Sequence, residues 1–170
     1  FLCLSRAPLD ARSAEAAGWG QLTAVYAGRG DFQKALEAFQ RAAALAPESL
    51  NEAAIDGAAF SLRRLDRPDE ALELYETGSR IYPESAILYN NRATLLFQLG
   101  RTKEGVELLE RSLKADPDPG LQYKNLFYAC ARLGRTEKAI RYGSAAAARF
   151  PGDMELQRGL RELKRKARGN

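Results

Sequence analysis

The residue types that carry most enzymatic chemistry are either missing from this chain or placed without a partner. Its 170 residues include no histidine, so a histidine base is excluded. Cys3 and Cys130 lie too far apart in sequence to be read as a ligand pair, and a cysteine nucleophile would lack its usual partner. Neither of the common glycine-rich phosphate-binding patterns occurs. The sequence therefore predicts no catalytic, cofactor or metal site.

Carboxylates are numerous, but helical spacing puts them on exposed faces, where a solvated role is expected. The clearest cases are Glu37, Glu73, Glu107 and Glu110. Cys130 falls at the register of Tyr26 in an earlier part of the chain, an inward position, so we expect a buried and inert thiol. We therefore expect a protein that is not an enzyme, and recognition becomes the leading class of function.

The element that would present a recognition surface is a helix hairpin of about 34 residues, first seen at residues 16–49. Trp19, Leu22 and Tyr26 stand three and four residues apart, as on one face of a helix. A second helical stretch follows Gly30, with Ala35 and Phe39 four residues apart, and it ends at Pro47. The break at Gly30 is too short for anything but a tight turn.

The same unit recurs in register. Prolines end four successive blocks at intervals of 36, 34 and 34 residues (Pro47, Pro83, Pro117 and Pro151). Small residues recur at a fixed offset (Ala35, Ala71, Gly105 and Ala139), as do turn residues (Gly30, Asp66, Gly100 and Gly134). The first hairpin departs only at Thr23 from the pattern W-x2-L-G-x2-Y, A-x3-F, P. The chain thus resembles tetratricopeptide-repeat (TPR) proteins over about residues 16–153.

The resemblance implies an all-α fold, a right-handed superhelical solenoid of four helix hairpins. The repeats would be residues 16–49, 52–85, 86–119 and 120–153. Ser13 is expected to cap a first helix that ends near Ala27, and Asp31 to cap the second. Later helices are predicted at 52–64, 68–81, 86–99, 102–115, 121–133 and 136–149. Residues 154–170 are expected to form a basic amphipathic capping helix, because an array must end in a helix with a polar outer side.

Charge is uneven along the chain. Residues 154–170 hold six Lys or Arg and two acids, whereas the remainder holds twenty of each. This argues against a long nucleic-acid-binding surface, and no nucleic-acid partner is expected. Contact of the terminal helix with phosphate or anionic lipid is the alternative to capping. No apolar run approaches the roughly 20 residues of a membrane span, so a soluble fold is expected.

The N-terminal segment, residues 1–15, is read as a remnant of upstream sequence or a lead-in to the first helix. Its start, Phe1-Leu2-Cys3-Leu4, is apolar. The end of a secretory segment, the last turn of an upstream helix and added sequence all remain open. The compartment is not fixed by the sequence, although a cytoplasmic location is favoured over an exported or membrane-tethered fragment.

The leading hypothesis is a non-catalytic protein-interaction module that takes a peptide or helix in a concave groove. In such arrays the resemblance places ligand contacts on the first helix of each hairpin. The candidates are Phe60, Arg63, Arg64, Asn90, Thr94, Phe97, Leu121, Lys124, Tyr128 and Arg132. This aromatic floor with a basic margin favours a partner with apolar and acidic character.

The alternative is a scaffold that self-associates, either within a larger TPR protein or as a homo-oligomer; in that case Phe1–Leu4 would contribute to the contact.

Overall fold

The computed structural model describes residues 7–113 and 119–169, with side chains described from residue 11. Within these ranges the secondary structure is helical, which confirms the all-α prediction. The helices are α1 (Ala7–Arg29), α2 (Phe32–Leu45), α3 (Glu52–Arg64), α4 (Pro68–Ile81), α5 (Ala86–Gln98), α6 (Thr102–Ser112), α7 (Gly120–Arg132), α8 (Thr136–Arg149) and α9 (Met154–Arg168), with one 3-10 turn at Pro47–Ser49. The chain divides into two compact units, Phe1–Pro83 and Glu84–Asn170. The predictions on Phe1–Leu4, Cys3 and Pro117 lie outside the described residues.

Each hairpin turns by the same local device. The first helix ends in a residue with left-handed backbone, at φ values between 59° and 84° (Gly30, Asp66, Gly100 and Gly134). The amide of the following residue then donates to a carbonyl five positions back, as from Arg135 to Cys130 at 2.9 Å. This bond supplies a partner for a carbonyl that the helix end would otherwise leave open. The predicted turn positions are confirmed, and Asp66 shows that aspartate replaces glycine there.

Replacing a turn glycine should cost stability through backbone strain alone. No atom lies within 4 Å of the position that a Cβ would take at Gly134, so Gly134→Ala adds no clash. Left-handed backbone costs an L residue about 1 kcal/mol, so we expect a loss of that size in the free energy of unfolding by urea. Gly152→Ala is the matched control, because Gly152 is equally open and its φ is not in the left-handed range. Equal stability of the two variants would contradict this account.

The first helix departs from expectation. It begins at Ala7, so Ser13 lies inside the helix and the predicted N-cap is wrong. The physical reason is that Pro8 is compatible with a first helical turn, where its missing N–H is not needed, so the helix begins before Ser13. Asp31 occupies the N-cap position of α2, as predicted, but its side chain makes no capping hydrogen bond.

In the N-terminal unit, small residues form the seam between α1 and α3. A Cβ on Gly57 would lie 3.1 Å from the Cα of Ala24, and one on Gly20 would lie 3.4 Å from the Cβ of Ala54. The side of α1 that is buried is therefore Ala16, Gly20, Thr23 and Ala27. The predicted inward stripe is wrong at Leu22, whose side chain is 37% exposed. Trp19, from the same stripe, is half-buried beneath the Arg41 guanidinium of α2, at 4.6 Å.

The fourth hairpin reverses the packing of the first three. In those hairpins a small buried residue on the first helix (Thr23, Ala59 and Ala93) matches a large residue on the second (Phe39, Tyr75 and Leu109). At the equivalent places the fourth hairpin has Phe127 on α7 and Gly143 on α8. The Phe127 ring comes within 2.6 Å of the position of a Cβ at Gly143, and Leu160 of α9 within 3.0 Å. A ring and a leucine thus occupy the space that Gly143 leaves.

The terminal helix α9 begins at the predicted Met154, ends at Arg168 and packs on α8. Its side chains Leu156 and Leu160 are buried. Asp153 caps it, because its carboxylate accepts a hydrogen bond from the amide of Leu156 at 3.0 Å. The same carboxylate pairs with Lys124 of α7 at 2.6 Å. The start of α9 is therefore fixed both by its own cap and by a side chain of the preceding hairpin.

Candidate peptide-binding surface

The ten predicted groove residues lie on α3, α5 and α7, three of them in the N-terminal unit and seven in the C-terminal unit. The residues of the first group are Phe60, Arg63 and Arg64, and the others are Asn90, Thr94, Phe97, Leu121, Lys124, Tyr128 and Arg132. The two groups lie in different units. That these residues form a groove remains a prediction.

In the N-terminal unit the predicted residues form an aromatic and arginine cluster. Phe60 meets Phe32 of α2 edge to face, with ring centroids 5.9 Å apart. The guanidinium of Arg63 lies 4.9 Å from the Phe60 ring and that of Arg64 lies 5.5 Å from the Phe32 ring. Such cation–π contacts contribute about 0.5–1 kcal/mol at exposed sites. Arg63 is therefore held over a ring of its own helix, and Arg64 over a ring of the preceding hairpin.

Asp56, one turn before Phe60 on α3, is half-buried and carries a contact to α4. The hydroxyl of Tyr75 donates to its carboxylate at 3.2 Å. Burial, with the charge of Asp56 beside the ring, raises the pKa of the Tyr75 phenol well above its ordinary value. The tyrosine therefore stays neutral and acts as a hydrogen-bond donor that joins α3 to α4.

In the C-terminal unit two of the predicted groove residues hold the helices together. Asn90 is buried, and its side-chain oxygen accepts a hydrogen bond from Asn125 of α7 at 2.8 Å. Phe97 is half-buried, and its ring lies over Gly105 of α6, in the space that a Cβ there would take. Thr94 donates its hydroxyl to the carbonyl of Asn90 at 2.8 Å. These contacts position α5 against α6 and α7.

Two apolar side chains remain open on the same unit. Ile87 and Leu121 are each 54% exposed. They stand at equivalent registers, in the first turns of α5 and α7, and these two helices are in contact. Two exposed branched residues at the same position of neighbouring helices form a surface that a partner side chain can cover.

Polar groups continue this surface along α7, on the stripe of Leu121, Lys124, Tyr128 and Arg132. The hydrogen bond to Asp153 raises the pKa of Lys124, so the ammonium stays charged and paired. Tyr128 is half-buried, and burial together with Glu155 and Asp153 raises the pKa of its phenol. Arg132 is exposed at the end of the stripe. The stripe thus runs from an apolar to a basic end.

One groove of the N-terminal unit was not predicted. It is a groove of about 350 Å³ between α2 and α4, hereafter the α2–α4 groove. Its lining combines the apolar residues Leu36, Phe39, Leu62 and Leu74 with the polar residues Gln40, Arg67, Glu70, Glu73 and Thr77. It lies mainly on the second helices of two hairpins. The predicted groove used only the first helices. The available signal was the apolar pair Leu36 and Phe39, three residues apart on α2.

Cys130 is buried, as predicted, and burial raises the pKa of its thiol. In the part of the chain that the structure describes, there is no group of three or more acidic, cysteine or histidine side chains able to hold a metal ion. Among the same residues, no helix has the length and apolar character needed to cross a membrane.

Known protein families and solved structures share features of this chain. Sequence profiles described as tetratricopeptide repeat match residues 16–49 and 62–133, more than half of the chain. No curated protein sequence matches it.

Solved structures share the fold at low sequence identity. PilF of Pseudomonas aeruginosa is 19% identical with a TM-score of 0.79, over 94% of this chain and 72% of that one. MamA of Desulfovibrio magneticus RS-1 is 17% identical with a TM-score of 0.74, over 90% and 85%. YrrB, a TPR protein with an unusual peptide-binding site, is 17% identical with a TM-score of 0.71, over 88% and 76%.

Proposed function

Because this chain belongs to the tetratricopeptide-repeat family, we propose that it is a non-catalytic module that binds a peptide or helix along the first helices of its hairpins. Membership of this family points to a protein–protein interaction module. The observation that carries the finer proposal is the exposed pair of Ile87 and Leu121 at one register of two packed helices. That one neighbour of the same fold is a peptide-binding protein agrees with it.

The partner that fits this surface has apolar anchors and acidic neighbours. Covering a large apolar side chain contributes about 1.5–3 kcal/mol when burial is complete, and less for a side chain that is already half-covered. Arg132 at the end of the α7 stripe would attract carboxylates. Asn90 and Phe97 support such a surface from below, because their own contacts fix α5 beside its neighbours.

Panning a phage-displayed peptide library on the purified chain tests this proposal without a known partner. We expect selected peptides to combine Leu, Ile or Phe with Asp or Glu. Ile87→Asp and Leu121→Asp should each weaken the best peptide at least tenfold, which corresponds to about 1.4 kcal/mol. Calorimetric titration gives the affinities.

Ile81→Asp is the matched control, since Ile81 is 52% exposed at the end of α4, which is the second helix of its hairpin. It should bind selected peptides as the unchanged chain does. Circular dichroism and the melting temperature establish that each variant is folded. If Ile87→Asp and Leu121→Asp, both folded, keep full affinity, the first-helix surface is not the binding site.

A further inference from the structure

The α2–α4 groove has the properties of a docking site for a helix of particular chemistry. Leu36 and Leu62 are buried, and Phe39 and Leu74 are half-exposed, so its floor is apolar and partly open. Its volume of about 350 Å³ is at the low end for a small-molecule pocket, and suits one or a few inserted side chains. It lies within the N-terminal unit, whereas Ile87 and Leu121 belong to the C-terminal unit.

The wall of this groove carries uncompensated negative charge. Helix α4 has four acids, Asp69, Glu70, Glu73 and Glu76, and one base, Arg80. Glu70 is paired with Arg67 at 2.6 Å and Glu76 with Arg80 at 3.3 Å. Among the described residues Asp69 and Glu73 form no ion pair, and Glu73 lines the groove. A helix that carries both an apolar side chain and positive charge would complement this groove.

Such a helix is present in the chain itself. On α9 the side chains of Met154, Arg158, Arg161, Arg165 and Arg168 are spaced by four and three residues, so they share one face, hereafter the arginine stripe. All five are exposed, Met154 by 73%, because Leu156 and Leu160 turn the opposite face toward α8. Within the described part of the chain, none of these arginines is paired with an acid.

The charges of the two units are also opposite. Residues 1–83 contain nine Lys or Arg and twelve Asp or Glu, whereas residues 84–170 contain seventeen and ten. The N-terminal unit therefore has a formal charge of −3 and the C-terminal unit of +7. Such a difference steers the acidic unit of one molecule toward the basic unit of another, and more strongly at low salt.

We propose that the α2–α4 groove binds the arginine stripe of α9 from a second copy of this chain. Met154 would cover the apolar floor, and the arginines that follow it would meet Glu73 and Asp69. Because groove and stripe are different surfaces, the contact is head to tail, and each molecule keeps one of each for a further copy. This proposal does not depend on the peptide-binding surface.

Analytical ultracentrifugation of the full chain tests the contact. We expect the average mass to rise with protein concentration at low salt and to fall in about 1 M salt, where the Debye length is about 3 Å. Glu73→Lys and Arg161→Glu should each weaken self-association about tenfold. Glu107→Lys and Lys103→Glu, exposed on α6, change the net charge by the same amounts elsewhere and should leave it unchanged.

Mixing the two variants gives the sharper result. Glu73→Lys loses its groove but keeps its stripe, and Arg161→Glu loses its stripe but keeps its groove. Each alone should be largely monomeric, while their mixture should form dimers and nothing larger, since one intact contact remains. A monomeric chain at every concentration and low salt would overturn the proposal, as would association that neither variant weakens. Ile87→Asp should self-associate normally, which separates this outcome from the test of peptide binding.

Discussion

Deleting residues 154–170 is expected to lower the free energy of unfolding by about 4 kcal/mol and to cause aggregation. The removed helix buries Leu156 and Leu160, and each fully buried leucine contributes about 1.5–3 kcal/mol. Its removal also uncovers Phe127 and the face of α8 around Gly143, where Leu160 packs. A newly exposed apolar patch of this kind promotes association. Urea denaturation and light scattering measure the two effects.

Two controls make this prediction specific to the buried leucines. Deletion of residues 165–170 removes much of the charge but retains both leucines, so it should cost little stability. Leu156→Ala in the full chain should alone cost about 3 kcal/mol, as for other fully buried leucines. If the protein without residues 154–170 does not aggregate and has an unchanged melting temperature, α9 is not a cap.

Phe127→Ala is expected to cost about 4 kcal/mol, because the phenyl ring fills a space that its neighbours cannot fill. The ring is 2% exposed and lies against Gly143 and Gly159, which have no side chains to move into a cavity. Gly143→Phe alone should also destabilise the fold, by about 2 kcal/mol, since two rings would compete for one space. Thermal and urea unfolding give both values.

The combination of the two substitutions is the diagnostic measurement. Phe127→Ala with Gly143→Phe restores the residue sizes of the earlier hairpins, which have, for example, Ala59 and Tyr75 at the equivalent positions. The double variant should therefore be more stable than Phe127→Ala alone by about 2 kcal/mol, although Leu160 would need to shift. If the double variant loses as much free energy of unfolding as the two single variants together, the two positions are not coupled.

Local signals in the sequence predicted most of the helix boundaries. The bounds of α3, α4 and α8 agree residue for residue with those expected, and α9 begins at the expected Met154, because caps, prolines and turn residues act over a few positions. The start of the first helix was predicted wrongly, because the local signal there is ambiguous. Pro8 is compatible both with a break and with a first turn, and only the whole structure decides between them.

The packed face of a helix was predicted less well than its ends. It depends on the distance between the two helices that pack together. Trp19, Leu22 and Tyr26 are the larger residues of α1, yet the α1–α3 seam uses Gly20 and Thr23. Close helices need small residues, and the sequence does not state how close the helices come. In the same way, the roles of Asn90 and Phe97 depend on Asn125 and Gly105, on other helices.

The reversed packing of the fourth hairpin limits how its parts can be recombined. The other three hairpins are alike at this position, with a small residue on the first helix and a large one on the second. Gene duplication or exchange that joined α7 to α4 would bring two large residues together, and one that joined α3 to α8 would leave a void. The fourth hairpin should therefore be inherited or transplanted whole. A consensus sequence averaged over the four repeats would lose this pairing, so redesign of this chain must keep positions 127 and 143 linked.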